Sequence, residues 1–188
     1  MQKKIQTKNP LVAKQVLEEV ISCGVREFCF CPGARNAPLL YPLANASGLH
    51  TYYWPEERSA AFFALGRIKA TGRPVAVVTT SGTAAGEVLP AAMEAYYSGL
   101  PLVIMTADRP RRFRGSGAPQ AAEQVGLFGC YALEMHDFEE GDLCDLSNWT
   151  QRGPMHLNIC FEEPSDADTH AILLEEKNQQ NKKRERRY

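Results

Sequence analysis

Apolar positions along this chain switch repeatedly between a helical period and a strand period. In residues 9–24, NPLVAKQVLEEVISCG, Val12, Val16 and Val20 recur with Leu17 and Ile21 on one helical stripe. An Asn cap, a Pro at the first helical position and a closing Gly bound that helix. EFCFCPG then predicts a short buried strand that breaks at Pro32-Gly33. NAPLLYPLAN reads as helix, the stretch near HTYYW as strand, and residues 57–71 as a second strong helix. RPVAVVTT and LPLVIMTA are near-continuous apolar runs, as strands buried on both faces of a parallel sheet require. SGTAAGEVLPAAMEAYYSG supplies a helix between them. YALEMH and PMHLNICF read as later strands, with EEGDLCDLSNW as a helix between those two. Recurrent strand–turn–helix–strand units argue an α/β fold built on a parallel sheet.

Core composition ends near Pro164, which sets a domain over 1–164. From Ser165 to Tyr188 the chain loses apolar periodicity and carries Lys177, Lys182, Lys183, Arg184, Arg186 and Arg187. That segment reads as a linker or disordered basic tail, with an arm for nucleic acid or an acidic partner as the alternative. A net charge of −1 over 188 residues gives no electrostatic case for nucleic acid or an anionic membrane as partner. No apolar run approaches the roughly 20 residues that span a bilayer. MQKKIQTKNP has no apolar leader core, so the expected compartment is the cytoplasm. The six cysteines (Cys23, Cys29, Cys31, Cys130, Cys144, Cys160) then read as reduced and mostly buried thiols. Cys29 and Cys31 are too close for a metal knuckle, and no metal ligands are expected on this chain.

Familiar motifs are absent: no GxxxxGK[ST] loop, no HExxH and no G-x-S-x-G elbow. GSGAPQ is half a dinucleotide fingerprint, without a strand before it or a third glycine. What stands out is a set of turns at the carboxyl ends of predicted parallel strands, where open α/β sheets bind ligands. They are CPGARNAP, PEER, TTSGTA and TADRP. Pro32-Gly33 allows a tight turn and close approach of a ligand, and Arg35 offers a fork for a carboxylate. TTSGTA presents hydroxyls and free amides, and in TADRP Asp108 is placed to hold Arg109. Alone, each turn has an ordinary reading as a cap or a surface ion pair. Four on one predicted sheet edge argue for a site.

CPGARNAPL, EERSAAFFALGRIKATGRPVAVVTTSGTAAGEVLP, TADRP, GSGAPQAAEQVGLFG and GPMHLNICFEEP together resemble the pyrimidine-binding domain of thiamine-diphosphate (ThDP) enzymes. Within them the likeness is to the menaquinone-pathway synthases of 2-succinyl-5-enolpyruvyl-6-hydroxy-3-cyclohexene-1-carboxylate (SEPHCHC), and it covers residues 10–164. The resemblance implies a three-layer sandwich, with a mostly parallel central sheet and helices on both faces. It implies that Glu57 hydrogen-bonds N1′ of the cofactor's aminopyrimidine, favouring the tautomer whose own nitrogen takes the thiazolium proton. Pro32, Gly33, Thr80, Ser81, Gly82 and Thr83 would line the pyrimidine. Arg35, Arg109 and Gln120 would bind substrate, 2-oxoglutarate being decarboxylated and its carbanion added to isochorismate. Mg²⁺ or Mn²⁺ would be held on a separate diphosphate-binding domain.

Two positions depart from the family pattern, with Ala34 in place of Ser and Pro119 in place of Asn. Each change removes a side-chain hydrogen bond, and Pro119 also lacks a backbone donor. Nothing after Pro164 resembles the family's central or diphosphate-binding domains. The expectation is therefore half of a site, inactive alone and completed in a homo-oligomer or by a diphosphate-binding partner. Two alternatives stay open: a subunit of a split ThDP-dependent 2-oxo-acid decarboxylase, and a non-catalytic assembly module.

Overall fold

A computed structural model describes residues 8–165, so the predicted basic tail beyond Ser165 lies outside the described residues. Six strands form one sheet: β1 (Glu27–Phe30), β2 (His50–Tyr53), β3 (Val75–Thr79), β4 (Leu102–Asp108), β5 (Glu134–Phe138) and β6 (Met155–Cys160). Their spatial order is β2-β1-β3-β4-β6-β5, and every neighbouring pair is parallel. The helices are α1 (Asn9–Ser22), α2 (Ala37–Asn45), α3 (Glu57–Thr71), α4 (Thr83–Gly86) and α5 (Leu89–Tyr97).

Two apolar layers explain why the central strands read as unbroken apolar runs. On one face, Val16, Leu17 and Val20 of α1 and Leu39 and Leu43 of α2 share a core with Phe28, Val78, Met105 and Leu157. On the other, Ala60, Ala61 and Ala64 of α3 and Ala91, Ala92 and Ala95 of α5 join Cys29, Val75, Val77, Leu102 and Ile104. Successive strand residues point to opposite faces, so Val77 serves one layer and Val78 the other. Each fully buried Val or Leu contributes about 1.5–3 kcal/mol, and both layers draw on it. The predicted three-layer sandwich is present.

Three local expectations are corrected. The run 81–99 is two helices rather than one. Pro90 lies in the first turn of α5 and has no N–H to continue the ladder from α4. EEGDLCDLSNW forms no helix. Asp142 accepts from the Glu139 N–H, and Asp145 accepts from the Ser147 N–H. Such local side-chain bonds compete with helical ones. Buried Cys144, Leu146 and Trp149 then anchor this loop on the α1 layer. Asn9 does not cap α1 with its side chain; its amide instead exchanges bonds with the backbone of Glu162, 153 residues away.

Connectivity creates the crevice. Strands β1 and β3 are neighbours, yet the chain leaves β1 toward α2 on one face and leaves β3 toward α4 and α5 on the other. Diverging connections open a cleft at the carboxyl ends of the two strands.

Candidate functional site

The turn after β1 is held by a residue that sequence reasoning passed over. Asn36 is fully buried; its Oδ1 accepts from Gly33 N–H at 2.9 Å and its Nδ2 donates to the Cys31 carbonyl at 2.9 Å. This closure presses Gly33 against the turn after β3. A Cβ on Gly33 would lie 2.5–2.8 Å from three side-chain atoms of Thr80, so only glycine fits. Two predicted site turns therefore meet across the crevice. Pro32 is exposed at its rim.

The turn after β3 is anchored from below. Ser81 is buried, and Gly82 takes φ 82° while donating its N–H to Gln124 Oε1 at 2.7 Å. A Cβ on Gly82 would crowd the backbone of Gln120 at 3.1 Å, which brings Gln120 to the same turn. Gln120 itself takes a left-handed φ of 54° and is exposed. Thr83 is exposed at the start of α4.

Glu56 and Glu57 separate in role. Glu56 caps α3: its carboxylate accepts from the N–H groups of Arg58 and Ser59 at 2.9 and 2.8 Å. A hydrogen bond from the Ser59 hydroxyl, then those from the backbone, hold the Glu56 carboxyl below its ordinary range. Glu57 is the first residue of α3 and is half-buried. Among the described residues no hydrogen bond or ion pair engages its carboxylate. It lies close enough to the end of β1 that its charge, after burial, helps push the Cys31 thiol up to about 12.

The expected hold of Asp108 on Arg109 is corrected. Asp108 accepts from the backbone N–H of Arg109 but does not hold its guanidinium. It faces Asn158 at 3.0 Å and Arg114 at 3.6 Å instead. Arg109 Nε donates to the carbonyl of Pro119 at 2.9 Å. The proline thus keeps the one backbone group this arginine uses. Arg35 is buried, donating Nη1 to the Phe161 carbonyl at 3.0 Å and Nη2 to Glu163 at 2.5 Å. Ala34, beside it, is exposed.

Behind these turns runs a buried polar network. Gln124 Nε2 donates to the Ala107 carbonyl and to Asn158 Oδ1, tying the ends of β3, β4 and β6 together. Asn158 Nδ2 donates to both Asp108 and Asp137. Burial pushes Asp137 up, but hydrogen bonds from Arg114, Asn158 and Arg111 prevail and hold it at about 2. Thr106 donates to Asn158, so His156 Nε2 donates to Thr106 and its Nδ1 is left as a buried acceptor with no partner among the described residues. Burial holds His156 down at about 4. In the sequence, Asn36 and Gln124 stood inside quoted motifs, where the Asx preference for turns could have marked the first. Asn158 and Glu163 also stood in such a motif, but their partners, like those of Asp137, lie more than 20 residues away and leave no local signature.

A separate cavity of about 310 Å³ opens near β4, β5 and β6, with Lys8, Arg112, Glu139, Cys160 and Glu162 in its lining. Its charges are largely paired with each other, as Lys8 with Glu140 and Arg112 with Glu162. Among the described residues, no three His, Cys, Asp or Glu side chains are grouped to hold a metal ion. No described helix is long and apolar enough to cross a membrane.

A parallel sheet with diverging connections at β1 and β3 places this chain in the ligand-binding class of open α/β folds. The family model described as "Thiamine pyrophosphate enzyme, N-terminal TPP binding domain" matches residues 11–127, and the chain belongs to that family. Within it, the chain is 52% identical over 159 residues to the SEPHCHC synthase of Bdellovibrio bacteriovorus, covering 83% of this chain and 30% of that protein. It is 51% identical over 158 residues to the enzyme of the same name from Akkermansia muciniphila, covering 82% and 29%. With that of Geobacillus thermodenitrificans it shares 45% over 163 residues, covering 79% and 28%. The chain spans under a third of the length of these curated relatives.

Proposed function

We propose that this chain is the pyrimidine-binding part of a ThDP-dependent carboligase that decarboxylates 2-oxoglutarate and adds the product carbanion to isochorismate, giving SEPHCHC. The observation that carries the reading is the division between Glu56 and Glu57. One carboxylate is consumed by the helix cap, while the next stands half-buried and unengaged beside the crevice. Such a group suits a ring N–H donor, because a partly desolvated carboxylate gains most from a charge-assisted hydrogen bond.

The residues present fit the cofactor's aminopyrimidine. Glu57 would accept from N1′, and the backbone of Pro32, Gly33 and the turn Thr80 to Thr83 would form the wall around the ring. Bound ThDP supplies a carbon nucleophile that can carry the electron pair released by decarboxylation. Glu57 holds the proton at N1′ and fixes the ring's tautomer. The alanine-rich layer of α3 and α5 packs the helix that presents it onto the sheet. Arg35 and Arg109 orient substrate carboxylates, and Gln120 supplies an adaptable amide at the rim. A diphosphate-binding domain, in a second copy or a partner, holds the diphosphate with Mg²⁺ or Mn²⁺. The assembly acts on soluble metabolites in the cytoplasm.

Calorimetric titration of ThDP with Mg²⁺ tests the reading. The chain alone is expected to lack micromolar affinity, and adding the remaining portion of the Bdellovibrio relative is expected to create it. Micromolar binding by the chain alone, or none in the mixture, would overturn the proposal.

A further inference from the structure

The loop after β6 carries two adjacent acids whose partners differ. Glu162 makes a two-pronged pair with Arg112 at 2.6 Å, and its N–H donates to Asn9. Glu163 reaches the crevice side instead. Its Oε2 accepts from Arg35 Nη2 at 2.5 Å and lies 3.8 Å from Arg109 Nη1. One carboxylate oxygen is thus shared by guanidinium groups from the turns after β1 and β4.

Each arginine is fixed from behind by a backbone carbonyl, Phe161 for Arg35 and Pro119 for Arg109. Each also turns one Nη toward Glu163. The burial is lopsided: the Arg35 side chain is 6% exposed, whereas that of Glu163 is 75% exposed. A buried cation needs an anion, since an unpaired one is costly. A carboxylate in water is held loosely and exchanges easily. Buried Arg35 therefore requires a carboxylate, which Arg109 also faces, and Glu163 is a replaceable one.

We propose that Glu163 is an exchangeable internal counter-ion that occupies the arginine pair until a substrate carboxylate displaces it, and so sets the affinity for acidic substrates. This rests on the assignment of Arg35 and Arg109 to substrate carboxylates. Exchange leaves the buried charge balance unchanged, because one carboxylate replaces another. The chain binds an incoming acid only in the fraction of molecules where Glu163 has swung out, which weakens apparent affinity by that fraction.

Titrating succinate, an unreactive dicarboxylate, into the full chain tests the idea. If Glu163 holds the pair in about nine molecules of ten, Glu163→Gln binds succinate roughly tenfold more tightly than the unchanged chain. The gain disappears in Glu163→Gln/Arg109→Gln, while circular dichroism reports whether the fold is kept. Glu163→Asp keeps the charge but shortens the reach, so it gives a smaller gain in the same direction and serves if the glutamine variant misfolds. Equal, weaker or undetectable binding by the folded glutamine or aspartate variant overturns the proposal, as does a gain that survives loss of Arg109. Succinate binding needs neither cofactor nor turnover, so failure here leaves the assignment of Glu57 standing, and failure of Glu57 leaves this result intact.

Discussion

Gly33 is where residue chemistry is most constrained. Its missing Cβ lets the turns after β1 and β3 touch, and Asn36 locks that contact from the other side. Gly33→Ala forces a methyl group into the Thr80 side chain and should cost about 1–3 kcal/mol by overpacking. Chemical denaturation of the two proteins measures it. A variant of unchanged midpoint would mean the turns are free to separate. The sequence singled out Gly33 because tight turns and close approach leave a local signature, and the group that closes on it here is the Thr80 side chain. It misread Asp108 because the choice between Arg109 and Arg114 depends on where residues 112–118 fold back, which no local pattern encodes.

Among elements, α3 shows how a cap frees its neighbour. Glu56 satisfies the first amides of the helix, leaving Glu57 without a structural task. Glu56→Ala should lower the denaturation midpoint at neutral pH. The Glu56 carboxyl is held below its ordinary range, so its stabilisation is present above that range and is lost as pH falls through the folded value. The difference between the two proteins should therefore shrink on acidification; a constant difference would assign the loss to packing instead. Elements were legible where apolar periodicity was long, as in α1 and α3 and in the doubly buried strands β3 and β4. Residues 139–150 defeated the same reading because Asp142 and Asp145 spend their carboxylates on local backbone, and Arg111 binds Asp142 from outside the segment.

On the scale of the whole molecule, the polar network behind β4 and β6 couples the site turns to acid stability. His156 is held neutral by burial and binds fewer protons folded than unfolded, so stability should decline as pH falls from about 6.5 toward 4. Asp137 is depressed by its arginine and asparagine partners, so its contribution is full above about 3.8 and is lost as pH falls toward 2. Urea denaturation across pH should resolve both declines, with His156→Gln flattening the upper and Asp137→Asn the lower. The three-layer architecture was readable because the central strands β3 and β4 announce burial on both faces. The network was not, since its members come from β4, β5, β6 and the segment around Gln124 and meet only after folding.

The central claim is that Glu57, and not Glu56, is the acid that serves the cofactor. A chimera in which residues 8–164 replace the matching segment of the Bdellovibrio relative tests it through SEPHCHC formation from 2-oxoglutarate and isochorismate. The chimera should be active, Glu56→Gln should retain most of that activity, and Glu57→Gln should lose about 100-fold or more, as removal of a positioned proton-holding group does. Full activity in the Glu57→Gln chimera would contradict the account.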